Sequence, residues 1–513
     1  MNYNKIYMKN ILAGYLQDLK TFVSSKYIIL FSFITIALGY GFALTNPSVS
    51  TDDTAASLYF EGGELIAQGR FFPVIINKLL GGMNFTPFWL EFMAIIMMVL
   101  AGLLYLCLFK KVTKDKLSKV CYVLFIPIFI SYPLINEIFI YNTAVISIGI
   151  GYLFTAIAIL CAYEFVNIKK RSWPLAAVAI LLMAAVASTY ESFVAVFILG
   201  LAMILFLDNL YNHKDIGFNK KKWVKYLLVF AAITVSSVVI EYAVTNIYID
   251  VNHIVRSTNA ATSILWLGPG GFLNNIRPLL ASIKFWFIMT PGLEYVSIMA
   301  LQIATVSLLA LAAIKSFVRK NYWLLLFAGL LILSIFSLSI VQGIASPYRV
   351  CQTFALFIAF VAIVIYDQTP NKVKPLILLG VIYLITIQTY DLTKWFYNDS
   401  LRYQEDRVVM INVAETIKRD FDATKPVVFM GKYIQSPLIR HNQTNGGSFI
   451  NWGQGSFGGP GEQLLTFLDM NGEHLVRPTK DQYNMAQENL NNMAKWPKSG
   501  SVAEYKGVIV VRF

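Results

Sequence analysis

The sequence predicts a polytopic all-α membrane protein with about 11 transmembrane helices and a small α/β domain at its C-terminal end, on the extracytoplasmic side. Three observations predict this. The 513 residues are 57% hydrophobic and only 14% charged, a balance of multi-span proteins rather than soluble ones. Apolar runs near the ~20 residues that cross a bilayer recur from Tyr27 to Thr389. After Thr389 polarity rises, and helix-like and strand-like stretches alternate.

The apolar runs lie near 27–44, 85–109, 120–134, 143–166, 174–188, 192–207, 226–248, 293–314, 323–341, 350–366 and 375–389. Their connections differ sharply in charge. One set carries 22 Lys and Arg residues, among them Lys20, Lys110, Lys111, Lys169, Lys222, Arg319 and Lys374. The opposite set carries six: Arg70, Lys78, Arg256, Arg277, Lys284 and Arg349. Cytoplasmic loops hold the excess of cations, so the N-terminus is expected in the cytoplasm. An odd number of spans then puts the loop after the first span and the C-terminal part on the outer side. The net charge of +13 is largely accounted for by these loops, and nucleic acid is not an expected partner. Cys107, Cys121, Cys161 and Cys351 lie in or beside apolar runs without CxxC spacing, and the four histidines are scattered. Neither a disulfide nor a Cys/His metal site is expected.

Residues 391–513 are expected to form the outer domain, and 1–390 the membrane domain. A helical run from Asn398 through Ile417 precedes a strand at 427–430. Helices are expected at 463–470 and 481–493, and a last strand at 507–513.

Within the membrane domain the loop at 46–84 is the expected centre of chemistry. It begins Pro47-Ser48-Val49-Ser50-Thr51-Asp52-Asp53. Ala55, Leu58, Tyr59, Gly62, Leu65 and Ile66 then recur at helical spacing up to Gly69. Arg70 follows, and a second amphipathic run carries Phe71, Phe72, Ile75, Ile76, Leu79 and Leu80. Asp is a favoured helix N-cap, so capping by Asp53 is an open alternative to catalysis. Other outer connections carry Asn136-Glu137, Tyr141-Asn142, Tyr190-Glu191, Arg277, Lys284 and Tyr348-Arg349. A charge driven to the bilayer centre costs ~2.5–3.5 kcal/mol, so such groups face a cavity or a partner unless they anchor at the interface.

Asp52-Asp53, Gly69-Arg70, Tyr190-Glu191-Ser192, Pro347-Tyr348-Arg349 and the closing stretch from Trp496-Pro497 to Phe513 carry a resemblance. With an N-in first span and a polar outer tail, the chain resembles the GT-C class of membrane glycosyltransferases. More narrowly it resembles the bacterial type II glucosyltransferases, which include serotype-converting O-antigen glucosyltransferases. The resemblance implies an inverting enzyme of the cytoplasmic membrane that takes a sugar, glucose by the family name, from a polyprenyl-phosphate carrier. A cell-surface polysaccharide or lipid-linked glycan is then the acceptor. The bilayer, a donor synthase and a flippase are the further partners implied.

Displacing a lipid phosphate from an anomeric carbon needs a base for the acceptor hydroxyl and cations for the departing phosphate. Asp53, with Asp52 beside it, is the expected base. Arg70, Arg277, Lys284 and Arg349 are the expected cations, with Tyr190, Glu191 and Tyr348 as further substrate-binding residues. No cofactor is required, and a divalent ion on the acidic pair stays open. A polysaccharide ligase or polymerase and a lipid-linked glycan transporter are the alternative readings.

Overall fold

The computed structural model describes every residue except 1, 51–52, 55–62, 81–86, 169–171, 217–219, 255–270, 288–294, 344–347, 438–447, 455–458 and 489. The chain opens with α1 (Asn2–Val23), a helix the apolar-run pattern does not announce. Its Tyr15 and Phe22 are buried in the main core, while Leu12, Leu16 and Val23 are exposed. Tyr15 donates to Glu164 at 2.7 Å, and Lys110 pairs with Asp18 at 2.6 Å. These bonds tie α1 to the cationic ends of two membrane helices. The first apolar run is α2 (Lys26–Thr45), and Pro47 follows its end, where the residue before proline disfavours helix.

Two short helices follow in the loop, α3 (Gly63–Ala67) and α4 (Phe71–Leu80). Then come α5 (Trp89–Thr113) and α6 (Lys119–Ile130). A 3₁₀ turn over Pro133–Ile135 and α7 (Asn136–Phe139) bend away from α6 by 42°. Pro133 removes a helical donor at that break. The chain continues through α8 (Asn142–Asn167), α9 (Trp173–Ala187), α10 (Ser192–Ile216) and α11 (Lys220–Val251). After the amphipathic α12 (Gly271–Phe287) come α13 (Tyr295–Arg319), α14 (Trp323–Ile335), α15 (Ser337–Gln342) and α16 (Gln352–Gln368). Each expected apolar run thus contains a helix among its described residues, with breaks at 131–132 in the third and at Phe336 in the ninth. Among the described residues seven helices are long and apolar enough to cross a membrane, or eight with the bent pair. The remaining three, α9, α14 and α16, have 15, 13 and 17 residues.

Close approach of α5 and α8 organises the core. A Cβ on Gly149 would sit 2.6 Å from the Ala94 Cα, so only glycine lets these backbones touch. Small residues serve this purpose between membrane helices, where lipid gives no hydrophobic drive to association.

The last apolar run does not stop near 389. It continues as α17 (Lys374–Asp420), one helix of 47 residues. At 1.5 Å per residue it is about 70 Å long, more than twice a hydrocarbon core. No Gly or Pro interrupts 381–420, which is why the expected membrane span and the expected helix from Asn398 are one element.

The polar end of α17 packs on a three-stranded sheet, β1 (Val427–Met430), β2 (Val502–Tyr505) and β3 (Val508–Arg512), in the order β1-β3-β2. β1 and β3 are parallel, with Val427 opposite Ile509; β2 and β3 are antiparallel. The connection between β2 and β3 is Lys506-Gly507, with φ of 48° and 80°, the left-handed pair that a two-residue hairpin takes. β2 is absent from the sequence expectation. The helices α18 (Phe449–Trp452), α19 (Glu462–Met470) and α20 (Lys480–Gln487) complete this part. The last expected helix therefore ends at Gln487 rather than 493, and a 3₁₀ turn follows at Leu490–Asn492. Met410, Val413 and Ile417 of α17 share a core with Phe429, Phe467, Ile509, Val511 and Phe513.

Candidate active site

Asp53 lies in the first turn after α2. Asp53 and Thr54 are helical, and Thr54 N–H donates to the Ser50 carbonyl. The helix cap is Ser50, not Asp53. Ser50 N–H donates to Asp53 Oδ2 at 2.9 Å, and Ser50 Oγ accepts from Asp53 N–H at 3.4 Å. This reciprocal pair is a capping box, with the acid three residues inside the helix. The Ser50 hydroxyl donates to the same Oδ2 at 2.8 Å. A third donor comes from another element, Asn142 Nδ2 at the start of α8, 3.1 Å away. Asp53 is fully buried. Its Oδ2 thus accepts from three donors on two segments of the chain. Glu91 is buried in the first turn of α5, where it accepts from Phe88 N–H at 3.3 Å.

The same turn is tied to the far end of the chain. Asn142 Nδ2 also donates to the Ser48 carbonyl at 3.0 Å, and the Ser48 hydroxyl donates to Asp399. Arg402 Nε donates to Asp399 Oδ1 at 2.9 Å, and its NH2 group donates to the Val49 carbonyl at 3.3 Å. Asp406 lies 3.6 Å from the Arg402 guanidinium. It accepts from Ser448 Oγ at 2.8 Å and from Phe449 N–H at 2.6 Å. Asp399, Arg402 and Asp406 are all buried. Sequence reading gave these three no role. Their spacing of three and four residues on one helix, directly after an apolar run, was the available signal.

Arg70 is fixed by the turn it follows. Gly69 has φ +86°, Gly69 N–H donates to the Ile66 carbonyl, and Arg70 N–H donates to the Leu65 carbonyl. This is a Schellman motif, which needs the left-handed residue that glycine supplies. The guanidinium lies 4.7 Å from the centre of the Tyr190 ring. Arg70 also acts electrostatically on Glu191, whose carboxylate accepts from Gln342 Nε2 at 3.1 Å. Solvent reaches Glu191. The protein around its carboxyl, and less strongly Glu241, still raise its pKa, while Arg70 and Gln342 pull it down. Arg70, Tyr190 and Glu191, expected separately, therefore form one cluster.

Arg349 pairs with Glu137 at 3.6 Å, the arginine side chain 45% exposed and the glutamate 5%. It borders a small cavity with Tyr132, Ile135, Tyr152 and Gln352. Arg277 and Lys284 are exposed on α12, and among the described residues no hydrogen bond or ion pair joins them to the other site residues. Asp52 and the Tyr348 side chain lie outside the described residues, as does 55–62 of the expected loop helix. No group of three metal-ligating side chains occurs among the described residues.

The arrangement holds one buried carboxylate among hydrogen-bond donors and offers guanidinium groups at two other helix ends. The family model described as Glucosyl transferase GtrII matches residues 41–366. No curated protein and no solved structure matches the chain.

Proposed function

The chain belongs to the GtrII glucosyl transferase family, and from that premise we propose that it transfers glucose from a polyprenyl-phosphate carrier to a cell-surface polysaccharide of the O-antigen kind. The reaction takes place on the outer face of the cytoplasmic membrane. In this reading the N-terminus is cytoplasmic, residues 1–390 form a GT-C-like membrane domain, and 391–513 lie outside.

The observation that carries the reading is the fixing of Asp53. Its Oδ2 is held by Ser50 and Asn142 at the meeting point of the first outer loop and the start of α8. Asp53, with Asp52 next to it, takes the proton of the acceptor hydroxyl. The acceptor oxygen bonds to the anomeric carbon as the carbon–phosphate oxygen bond breaks, which inverts configuration. The electron pair leaves with the polyprenyl phosphate, a good leaving group that needs no acid. A positioned base contributes ~10²- to 10⁴-fold. Because Asp53 is buried, the hydroxyl reaches it only as the side chains over it give way. A base kept out of water acts more strongly on a charge formed beside it.

Arg349 and Arg70 bind the phosphate. The phosphate competes with Glu137 for the Arg349 guanidinium, and Tyr190 holds Arg70 by its ring face. Glu191, Tyr348, Arg277 and Lys284 are the further substrate-binding residues in this reading. Glucose content of the surface polysaccharide, compared with and without the gene, tests the reading. A loss of one glucose branch supports it, and unchanged composition opposes it.

A further inference from the structure

We propose that Arg402 is a positioning residue, which locks the turn bearing Asp53 to the sheet-containing C-terminal part. The functional half of this inference rests on the reading of Asp53 as base; the structural half does not. The geometry is a continuous relay. Ser448 and Phe449 fix Asp406. Asp406 and Asp399 flank the Arg402 guanidinium. Arg402 then holds the Val49 carbonyl, and Asp399 holds the Ser48 hydroxyl. Ser48 and Asp53 share the amide of Asn142.

Why should an arginine sit here? A buried guanidinium brings a desolvation cost that packing with apolar groups would avoid, so it is weak evidence for stability alone. Two carboxylates use part of its fork of donors, and the rest reaches a backbone carbonyl of another segment. A planar fork fixes direction, which the single ammonium of lysine does not. Arg402 thus sets where the backbone of Val49 and Ser50 lies, and with it the capping box that orients Asp53. The long helix α17 is the rigid element that carries this constraint from one side to the other.

The test is Arg402→Lys in the full-length protein, with two readouts. The first is hydrogen exchange of the peptide covering 46–54 against that covering the sheet strand 427–430. The second is glucose transfer, with polyprenyl-phosphate glucose as donor probe and cell-envelope polysaccharide as acceptor. We expect exchange at 46–54 to rise about 10-fold while the strand keeps its protection. Maximal transfer should fall about 10-fold at an unchanged half-saturating donor concentration, the signature of a misaimed group. Wild-type exchange and transfer would overturn the proposal, and so would an equal loss of protection in both peptides. If Arg402→Lys does not accumulate, the neutral triple variant Asp399→Asn, Arg402→Met, Asp406→Asn is read in the same way. Should Asp53→Asn transfer at the wild-type rate while the loop effect of Arg402 stands, the base reading fails and the anchoring survives.

Discussion

Asn142 Nδ2 lies 3.1 Å from Asp53 Oδ2 and 3.0 Å from the Ser48 carbonyl, so one side-chain amide braces both limbs of the turn before the loop. Replacing it with aspartate keeps the size, removes both donors and puts a second carboxylate against Asp53. Asn142→Asp should cost about 1–3 kcal/mol, the penalty of stranding buried hydrogen-bonding groups. It should lower the melting temperature in detergent and cut transfer more than 10-fold. An unchanged melting temperature would mean that the amide is not the brace described.

Arg349→Ala should raise the half-saturating donor concentration about 10- to 100-fold, the range of a charged hydrogen bond of about 1.5–3 kcal/mol. Arg349→Lys should recover part of it, since lysine keeps the charge but not the fork. Titration with polyprenyl-phosphate glucose measures both, and a wild-type value for the alanine variant would remove Arg349 from the phosphate.

Gly149→Val should destabilise strongly, because its Cβ would meet the Ala94 backbone at 2.6 Å. Gly329 offers the control, with nothing within 4 Å of an added Cβ; Gly329→Ala should behave as wild type. Thermal aggregation of the purified proteins separates the two. Equal behaviour would contradict the close α5–α8 crossing.

Ser499, exposed before β2, reports the topology. A cysteine there should react with a membrane-impermeant thiol reagent in intact cells. Labelling only after permeabilisation would place the C-terminal part in the cytoplasm.

Much of the helical layout is legible because hydrocarbon demands long apolar runs, and each of the eleven runs contains a helix, although only seven or eight among the described residues are long enough to cross a membrane. The Gly69-Arg70 step is also legible, since a left-handed residue ends α3. What hides is of two kinds. The amphipathic α1 and α12 bury only one stripe, so they lack the continuous hydrophobicity that marks a span. The relay through Asp399, Arg402 and Asp406 joins segments about 350 residues apart, and no local pattern shows which distant carbonyl an arginine meets. Asp53 is an instructive case. The run Ser50-Thr51-Asp52-Asp53 has the form of a capping box; the alternative of Asp53 as the cap itself does not hold, because the structure gives that place to Ser50.

Asp53→Asn in purified protein tests the central claim most directly. Asparagine keeps a carbonyl oxygen to accept from Ser50 and Asn142, so the capping box and the brace are largely kept. What is lost is the negative charge and the ability to take a proton. The account predicts a variant that purifies normally, melts near the wild-type temperature and transfers glucose at least ~10²-fold more slowly. Transfer at the wild-type rate by a normally folded Asp53→Asn protein would contradict it, and would leave Asp53 the structural role of closing the cap.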